Sequence, residues 1–310
     1  MNRVETTKSL AAASRGAVWL KALDPEAKLL GELIPSVAAA DGEIGGRAVR
    51  FMAVLPDPKN RYPRARKGEV GLLEGWAVAT SVLDFVQAES SQEEKTPLVL
   101  VIDVASQAYG RREEAFGIHQ ALAASSAAFI KAREVGHPVV GFIVGKAMSG
   151  AFLAFGYQAD YLIALNDPEV MVHAMSKESA ARITLRTVEA LDHFASEIPP
   201  MAYDVRHFSQ LGILGELLDI SDPDLPATDD VKKARAAILK GIRFAKAENL
   251  PERRLHAPLR QASAMVRARM SRLALIPFGF LRLPLAGKKG DNHDNDPLGS
   301  RHSGDVLGAR

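Results

Sequence analysis

The stretch Pro138-Val-Val-Gly-Phe-Ile-Val-Gly-Lys-Ala-Met-Ser-Gly-Ala-Phe-Leu-Ala-Phe-Gly156 fixes how its surroundings are read. Val139 to Val144 is an apolar, β-branched run and predicts a buried strand. Gly145 then opens a small-residue turn, and an Ala-rich apolar helix is expected from about Ser149. A strand that feeds a helix through small residues lets another chain or a ligand approach the backbone closely. It also directs free N–H groups at whatever lies in front, which suits an oxygen gaining negative charge. A tight β–α turn whose Gly and Ala serve only packing fits the same residues, and both readings stand at this point.

Outward from this stretch, Leu98 to Val104 is a second continuous apolar strand. It is followed by Ala105-Ser-Gln-Ala-Tyr-Gly110, the charged run Arg111-Arg112-Glu113-Glu114, and a long helix expected from about Glu114 to Glu134. Strand, small-residue loop and helix thus occur twice in succession, which implies an α/β fold with parallel strands. Right-handed crossovers bring the loops 105–110 and 145–149 to the same carboxyl edge of the sheet. Upstream, residues 1–47 read as a helical lead-in, Ala48 to Leu55 as a strand, and Gly71 to Gln87 as a core-facing helix. Pro56 to Lys67 reads as a polar loop, either solvated or a surface for an anion. Downstream, strands are expected at Asp160 to Leu165, Val170 to Ala174 and within Gly212 to Ile220. Helices are expected at Arg182 to Phe194, Val205 to Leu211, Asp230 to Ala247 and Arg260 to Leu275. Residues 285–310, rich in Gly, Asp and Asn, have the composition of a disordered tail.

The 310 residues are 47% apolar and 25% charged with a formal net charge of +2, an ordinary globular profile that does not call for nucleic acid or an anionic membrane. The chain has no cysteine, so disulfides, thiolate metal sites and a cysteine nucleophile are excluded. No uncharged apolar window reaches about 18 residues, and Met1 to Leu20 has no signal-peptide core. A cytoplasmic protein is the expectation. The eight histidines form no metal-ligand pair and Asp291 to Asp296 lacks the spacing of a calcium loop, so no metal is expected.

Three constellations carry possible chemistry. The paired loops can offer two backbone donors to one oxygen. Ser149 with His173 has the residue types of a nucleophile and base, although Ala147 and Ala151 stand where a Gly-x-Ser-x-Gly elbow has glycine. The alternative is an N-capping serine and an interior histidine. Arg111 and Arg112 suit a carboxylate or phosphate, or simply a solvated helix start whose Glu113 and Glu114 favour the amino end.

These motifs together resemble a known family. Gly145-Lys-Ala-Met-Ser-Gly-Ala-Phe-Leu is similar to the second oxyanion segment of the crotonase and Clp-protease superfamily. Leu98 to Glu114, with Ile102-Asp103, Tyr109-Gly110 and Glu113-Glu114, resembles the matching loop of α-type carboxyltransferase domains of acetyl-CoA carboxylases. Leu211-Gly-Ile-Leu-Gly-Glu-Leu-Leu-Asp219 is similar to a later strand of the same superfamily. The combination of Ser106 to Ala115 with Gly145 to Gln158 most resembles the γ subunits of biotin-independent malonate decarboxylases. The resemblance implies a ββα-spiral α/β fold with flanking helices over 48–284. It also implies a homologous β subunit, a CoA-transferase-like α subunit, and an acyl-carrier δ subunit with a CoA-derived arm, with neither biotin nor a tightly bound cofactor. By position, the Gly150 N–H matches the second oxyanion donor, and the N–H of Gln107 or Ser106 the first. Ser149, His173 and Tyr109 become candidates for the remaining chemistry. Gly145, Ala147, Met148, Gly110, Arg111 and Arg112 become candidates for substrate contact.

Overall fold

A computed structural model describes residues 14–31, 33–198, 201–245 and 257–274. The chain forms two units, 1–266 and 267–310. The second is described only over 267–274, the last turns of the helix Gln261–Ala274. The segment 285–310 lies outside the described residues.

The first unit is built on a mixed sheet. Strands β1 (Lys28–Leu29), β2 (Val37–Ile44) and β3 (Arg47–Val54) pair antiparallel. From β3 the sheet continues in parallel through β4 (Leu98–Val104), β5 (Val139–Met148), β6 (Tyr161–Leu165) and β8 (Glu216–Leu218), while β7 (Met171–His173) pairs with the far half of β5. Helix α1 (Arg15–Leu23) packs along β3, β4 and β5. Its Trp19 meets Phe142 edge-to-face with ring centroids 5.1 Å apart, both fully buried. Helix α8 (Thr228–Ala245) lies against β5 and β6. Helices α2 (Leu72–Ala88) and α4 (Ile118–Glu134) pack on each other, with Gly75 set so close to Ala121 that a side chain there has no room. Strands β4, β5 and β6 are buried along nearly their whole length, as the centre of a parallel sheet covered on both faces requires.

The lead-in is not all helix. Only Arg15–Leu23 is helical among the described residues before 47, and Val37–Ile44 is a strand matched residue for residue to β3. Val37-Ala-Ala-Ala has a helix-former's composition, but Gly45 and Gly46 both have positive φ (60° and 80°) and close a two-residue hairpin. Ladder bonds to β3 then override alanine's intrinsic helix propensity, which tertiary pairing readily outweighs.

Two expected helices are each broken in two. The one after the first loop divides into α3 (Arg111–Ala115) and α4 at Gly117, whose φ is 80°. The one expected at Arg182 to Phe194 divides into α6 (Lys177–Thr184) and α7 (Val188–Glu197) at Leu185, also left-handed. Ser176 and Thr187 cap these last two by accepting from the Ser179 and Ala190 N–H groups. The 56–67 loop is mostly exposed, as a solvated polar loop should be, but it is anchored at three buried residues. Asn60, Tyr62 and Ala65 are buried, and Tyr62 and Ala65 form a small cluster with Leu72, Ala108, Ile118 and Ala121.

Candidate active site

The decisive local feature is that β5 does not turn at Gly145. It continues as strand to Met148, and the turn comes at Ser149, the first residue of the short helix α5 (Ser149–Ala154). Two pairings make this possible. Val140 to Ile143 pair with β6, and Lys146 to Met148 pair with β7. On its other side β5 follows β4 until Ile102↔Ile143, after which the register jumps to Val104↔Ala147. Such an irregularity leaves ladder groups without their usual partners. The Asp103 carboxylate replaces one, accepting from the Lys146 N–H at 3.0 Å, and its other oxygen accepts from Gly16 N–H of α1 at 3.4 Å. Gly145 has no side chain because any Cβ there would overlap the Asp103 carboxylate. Asp103 thus positions the end of β5.

Ser149 itself has φ of 58°, unusual for a residue with a side chain. Its hydroxyl donates to the Ala174 carbonyl at 2.7 Å, tying the bend to the end of β7. The next residue, Gly150, presents its N–H to the first loop.

The first loop is held differently. Val70 bridges to it in parallel fashion: the Val70 N–H donates to the Ser106 carbonyl at 3.0 Å and the Ala108 N–H donates to the Val70 carbonyl at 2.9 Å. Strand alternation then turns the N–H of Gln107 away from Val70. Val70 is anchored next to Gly71, whose N–H donates to the fully buried Glu74 carboxylate at 3.0 Å. Glu74 also accepts from Ser36 Oγ at 2.5 Å and Asn60 Nδ2 at 2.7 Å. The sequence reading missed this network; a glutamate on the buried face of an apolar helix was the signal for it.

The two bends meet. The Gly150 N–H donates to the Gln107 side-chain oxygen, Oε1, at 2.8 Å. A carbonyl oxygen thus sits on the Gly150 amide, between the residues expected to supply the two donors. Between Ser106 and Gln107, only Gln107 turns its N–H to the free side of the Val70 bridge; the Ser106 carbonyl is spent on Val70 and its hydroxyl on the Gln107 carbonyl.

Ser149 and His173 are not brought together as nucleophile and base. They stand beside one another through the Met148↔His173 pairing. The Ser149 hydroxyl, however, is engaged by Ala174, while His173 Nδ1 faces the Met175 backbone, 3.0 Å from its carbonyl oxygen and 3.2 Å from its nitrogen. The His173 ring stacks on Tyr203 at 3.8 Å, and burial lowers its pKa below the ordinary 6.5. Tyr203 is buried, with a hydroxyl that finds no partner among the described residues, and burial with the nearby Glu178 and Asp192 pushes its pKa up to about 12. Of the other candidates, Ala147 and Met148 are buried in the strand, and Gly110 precedes α3. Tyr109, Arg111 and Arg112 are exposed, the Arg112 guanidinium lying over the Tyr62 and Phe116 rings. A cavity of about 640 Å³ lined by Lys95, Arg133 and His137 lies at the opposite, amino ends of the strands and takes no part in this geometry. No helix among the described residues is long and apolar enough to cross a membrane, and none of their His, Asp and Glu side chains cluster to hold a metal ion.

The profile of the malonate decarboxylase gamma subunit matches residues 65–274, which include both bends and the Val70 and Glu74 supports. The chain belongs to that family. A crystal structure of a Pseudomonas malonate decarboxylase hetero-tetramer in complex with coenzyme A contains a chain 48% identical to it, with a TM-score of 0.80, over 84% of this chain and 100% of that one. A crystal structure of the Pseudomonas MdcD-MdcE hetero-dimer matches at 47% identity and a TM-score of 0.76, over the same shares. The malonyl-S-ACP:biotin-protein carboxyltransferase MADD of Malonomonas rubra is 32% identical over 215 residues, 68% of this chain and 70% of that protein. A more distant likeness to a transcarboxylase 12S structure, 20% identical with a TM-score of 0.52 over 69% of this chain and 37% of that one, concerns the fold alone. The α/β fold is therefore that of the crotonase-type carboxyltransferases, and this malonate decarboxylase γ-type chain is a component of a carboxy-lyase.

Proposed function

We propose that this chain, as a malonate decarboxylase subunit, stabilises the enolate left when a malonyl thioester loses carbon dioxide. The Gly150 N–H and the Gln107 N–H are the donors. The observation that carries this reading is the carbonyl oxygen already seated 2.8 Å from the Gly150 nitrogen, a stand-in for the thioester oxygen. As the carboxyl carbon departs, its bonding electrons pass into the thioester, whose oxygen becomes anionic. Two preorganised donors favour that oxygen over the neutral carbonyl, and one such donor is worth roughly a hundred- to a thousandfold in rate. A proton then returns to the carbon, giving the acetyl thioester. His173, on the strand beside the bend and held neutral by burial, and the exposed Tyr109 are the groups within this chain's candidate region that can exchange a proton.

The acyl group is carried by a CoA-derived arm, in keeping with the coenzyme A complex of the Pseudomonas relative and the acyl-carrier substrate in the name of the Malonomonas one. The partner is a homologous β subunit, as the Pseudomonas hetero-dimer suggests. The complete enzyme adds a CoA-transferase-like α subunit and the acyl-carrier δ subunit, and it works in the cytoplasm. The test is Gly150→Pro, which removes the amide hydrogen. Carbon dioxide release from a malonyl thioester by the assembled enzyme should fall by roughly a hundred- to a thousandfold while co-purification with the partner persists. Full turnover in that variant would rule the role out.

A further inference from the structure

We infer that the Gln107 carboxamide is a displaceable plug that the substrate oxygen must evict from the Gly150 N–H; the inference rests on the reading of Gly150 as an oxyanion donor. The backbone on either side of Gln107 is fixed, since Ser106 and Ala108 are both bonded to Val70. The side chain is not. Its oxygen makes one hydrogen bond, to Gly150, and its amide nitrogen has no partner among the described residues. Gln107 is half-buried, with rotatable bonds free to carry it aside. A Cβ at Gly150 would lie only 3.2 Å from Gln107 Oε1, so glycine is what lets the carboxamide seat this closely.

The chemistry of the two competitors sets the consequence. The resting occupant is a neutral amide oxygen, and the neutral thioester oxygen offers the same kind of bond. Exchanging one for the other gains little. The enolate oxygen is charged, and a charge-assisted bond is about twice as strong as a neutral one, so it displaces the carboxamide decisively. The plug keeps the donor satisfied when the site is empty and weights the contest toward the anion rather than the bound substrate.

Removing the plug frees the donor in the resting enzyme. A net hydrogen bond of ordinary strength corresponds to a roughly two- to tenfold rise in kcat/KM for a malonyl thioester, expected for Gln107→Ala in the assembled enzyme. Gln107→Met fills a similar volume without the oxygen and carries the same expectation if the alanine variant does not fold. Gln107→Glu places a carboxylate on the same N–H, seats the plug more firmly, and should lower kcat/KM by more than tenfold. Opposite signs for the two kinds of variant support the plug. A fall or no change in Gln107→Ala and Gln107→Met overturns it, because the carboxamide would then be positioning substrate or packing. Gly150→Pro in the same assay separates the two readings. If that variant is inactive while the plug variants lose activity, only the plug is wrong; if it is fully active, the donor role fails and the plug with it.

Discussion

The bends that follow β4 and β5 are near neighbours in space and similar in composition, yet they are held in opposite ways. The bend at Ala105 to Gly110 is propped from outside. Val70 bonds to both sides of Gln107, and Val70 is steadied by a buried carboxylate that gathers donors from three separate segments. The bend at Ser149 is held by the strand that leads into it. Strand β5 runs five residues past its pairing with β6, kept in line by β7 and by Asp103, and ends in a left-handed Ser149. The lesson is that an amide can be aimed either by bracing the loop that carries it or by extending the strand behind it. The two devices should fail differently when cut.

The largest effect is expected from the shared point. Gly150→Pro should lower kcat by roughly a hundred- to a thousandfold, measured as carbon dioxide release. Next comes the brace of the first bend. Glu74→Ala leaves Ser36 and Asn60, both buried, and the Gly71 N–H without their acceptor, at about 1–3 kcal/mol for each unsatisfied group. Denaturant unfolding should register a loss of at least about 3 kcal/mol, with activity falling as the first donor loosens. An unchanged midpoint would mean the network is not what holds that bend. On the strand-extended bend, Gly145→Ala drives a methyl into Asp103. It should cost about 1–3 kcal/mol by overpacking and displace the Lys146 contact, visible as an altered Lys146 amide in nuclear magnetic resonance spectra.

Smaller effects discriminate further. Ser149→Ala removes the bond to the Ala174 carbonyl and should cost about 1 kcal/mol of stability. Activity should stay within a few-fold, because the Gly150 N–H survives. A serine nucleophile would instead lose activity by about a millionfold. The smallest effect is a pH dependence. Burial lowers the folded pKa of His173 below 6.5, so the folded chain holds this ring neutral while the unfolded chain protonates it more readily. The stability this confers is complete above pH 6.5 and is lost as pH falls through the lower folded value. His173→Phe, which keeps an aromatic face on Tyr203, should therefore flatten the acid side of the stability profile below pH 6.5. Superimposable profiles would remove His173 from the account.

Much of this was legible in the residues. Leu98 to Val104 reads as a strand and is one, because a continuous apolar run bounded by Pro97 and a small-residue loop has few other places to go. The two loops reach one edge because parallel strands with right-handed crossovers put them there. Ending β5 at Gly145 was the natural reading of Val144-Gly145-Lys146, and it failed because the reason for that glycine, the Asp103 carboxylate, lies far away in sequence. The hairpin at Gly45-Gly46 was hidden by the helix propensity of the alanines before it, and the helix breaks at Gly117 and Leu185 by periodic apolar residues on either side. The side chain of Gln107 could not have been placed at all, since its partner is an amide brought to it by the fold.

The sequence by itself determined the buried strands, the small-residue bends and the family they betray, because these follow from apolar runs, steric permission and local order. Only the tertiary structure decided which way each amide points and what rests upon it. That direction depends on hydrogen bonds between segments far apart in the chain, and no local pattern of residues carries that information.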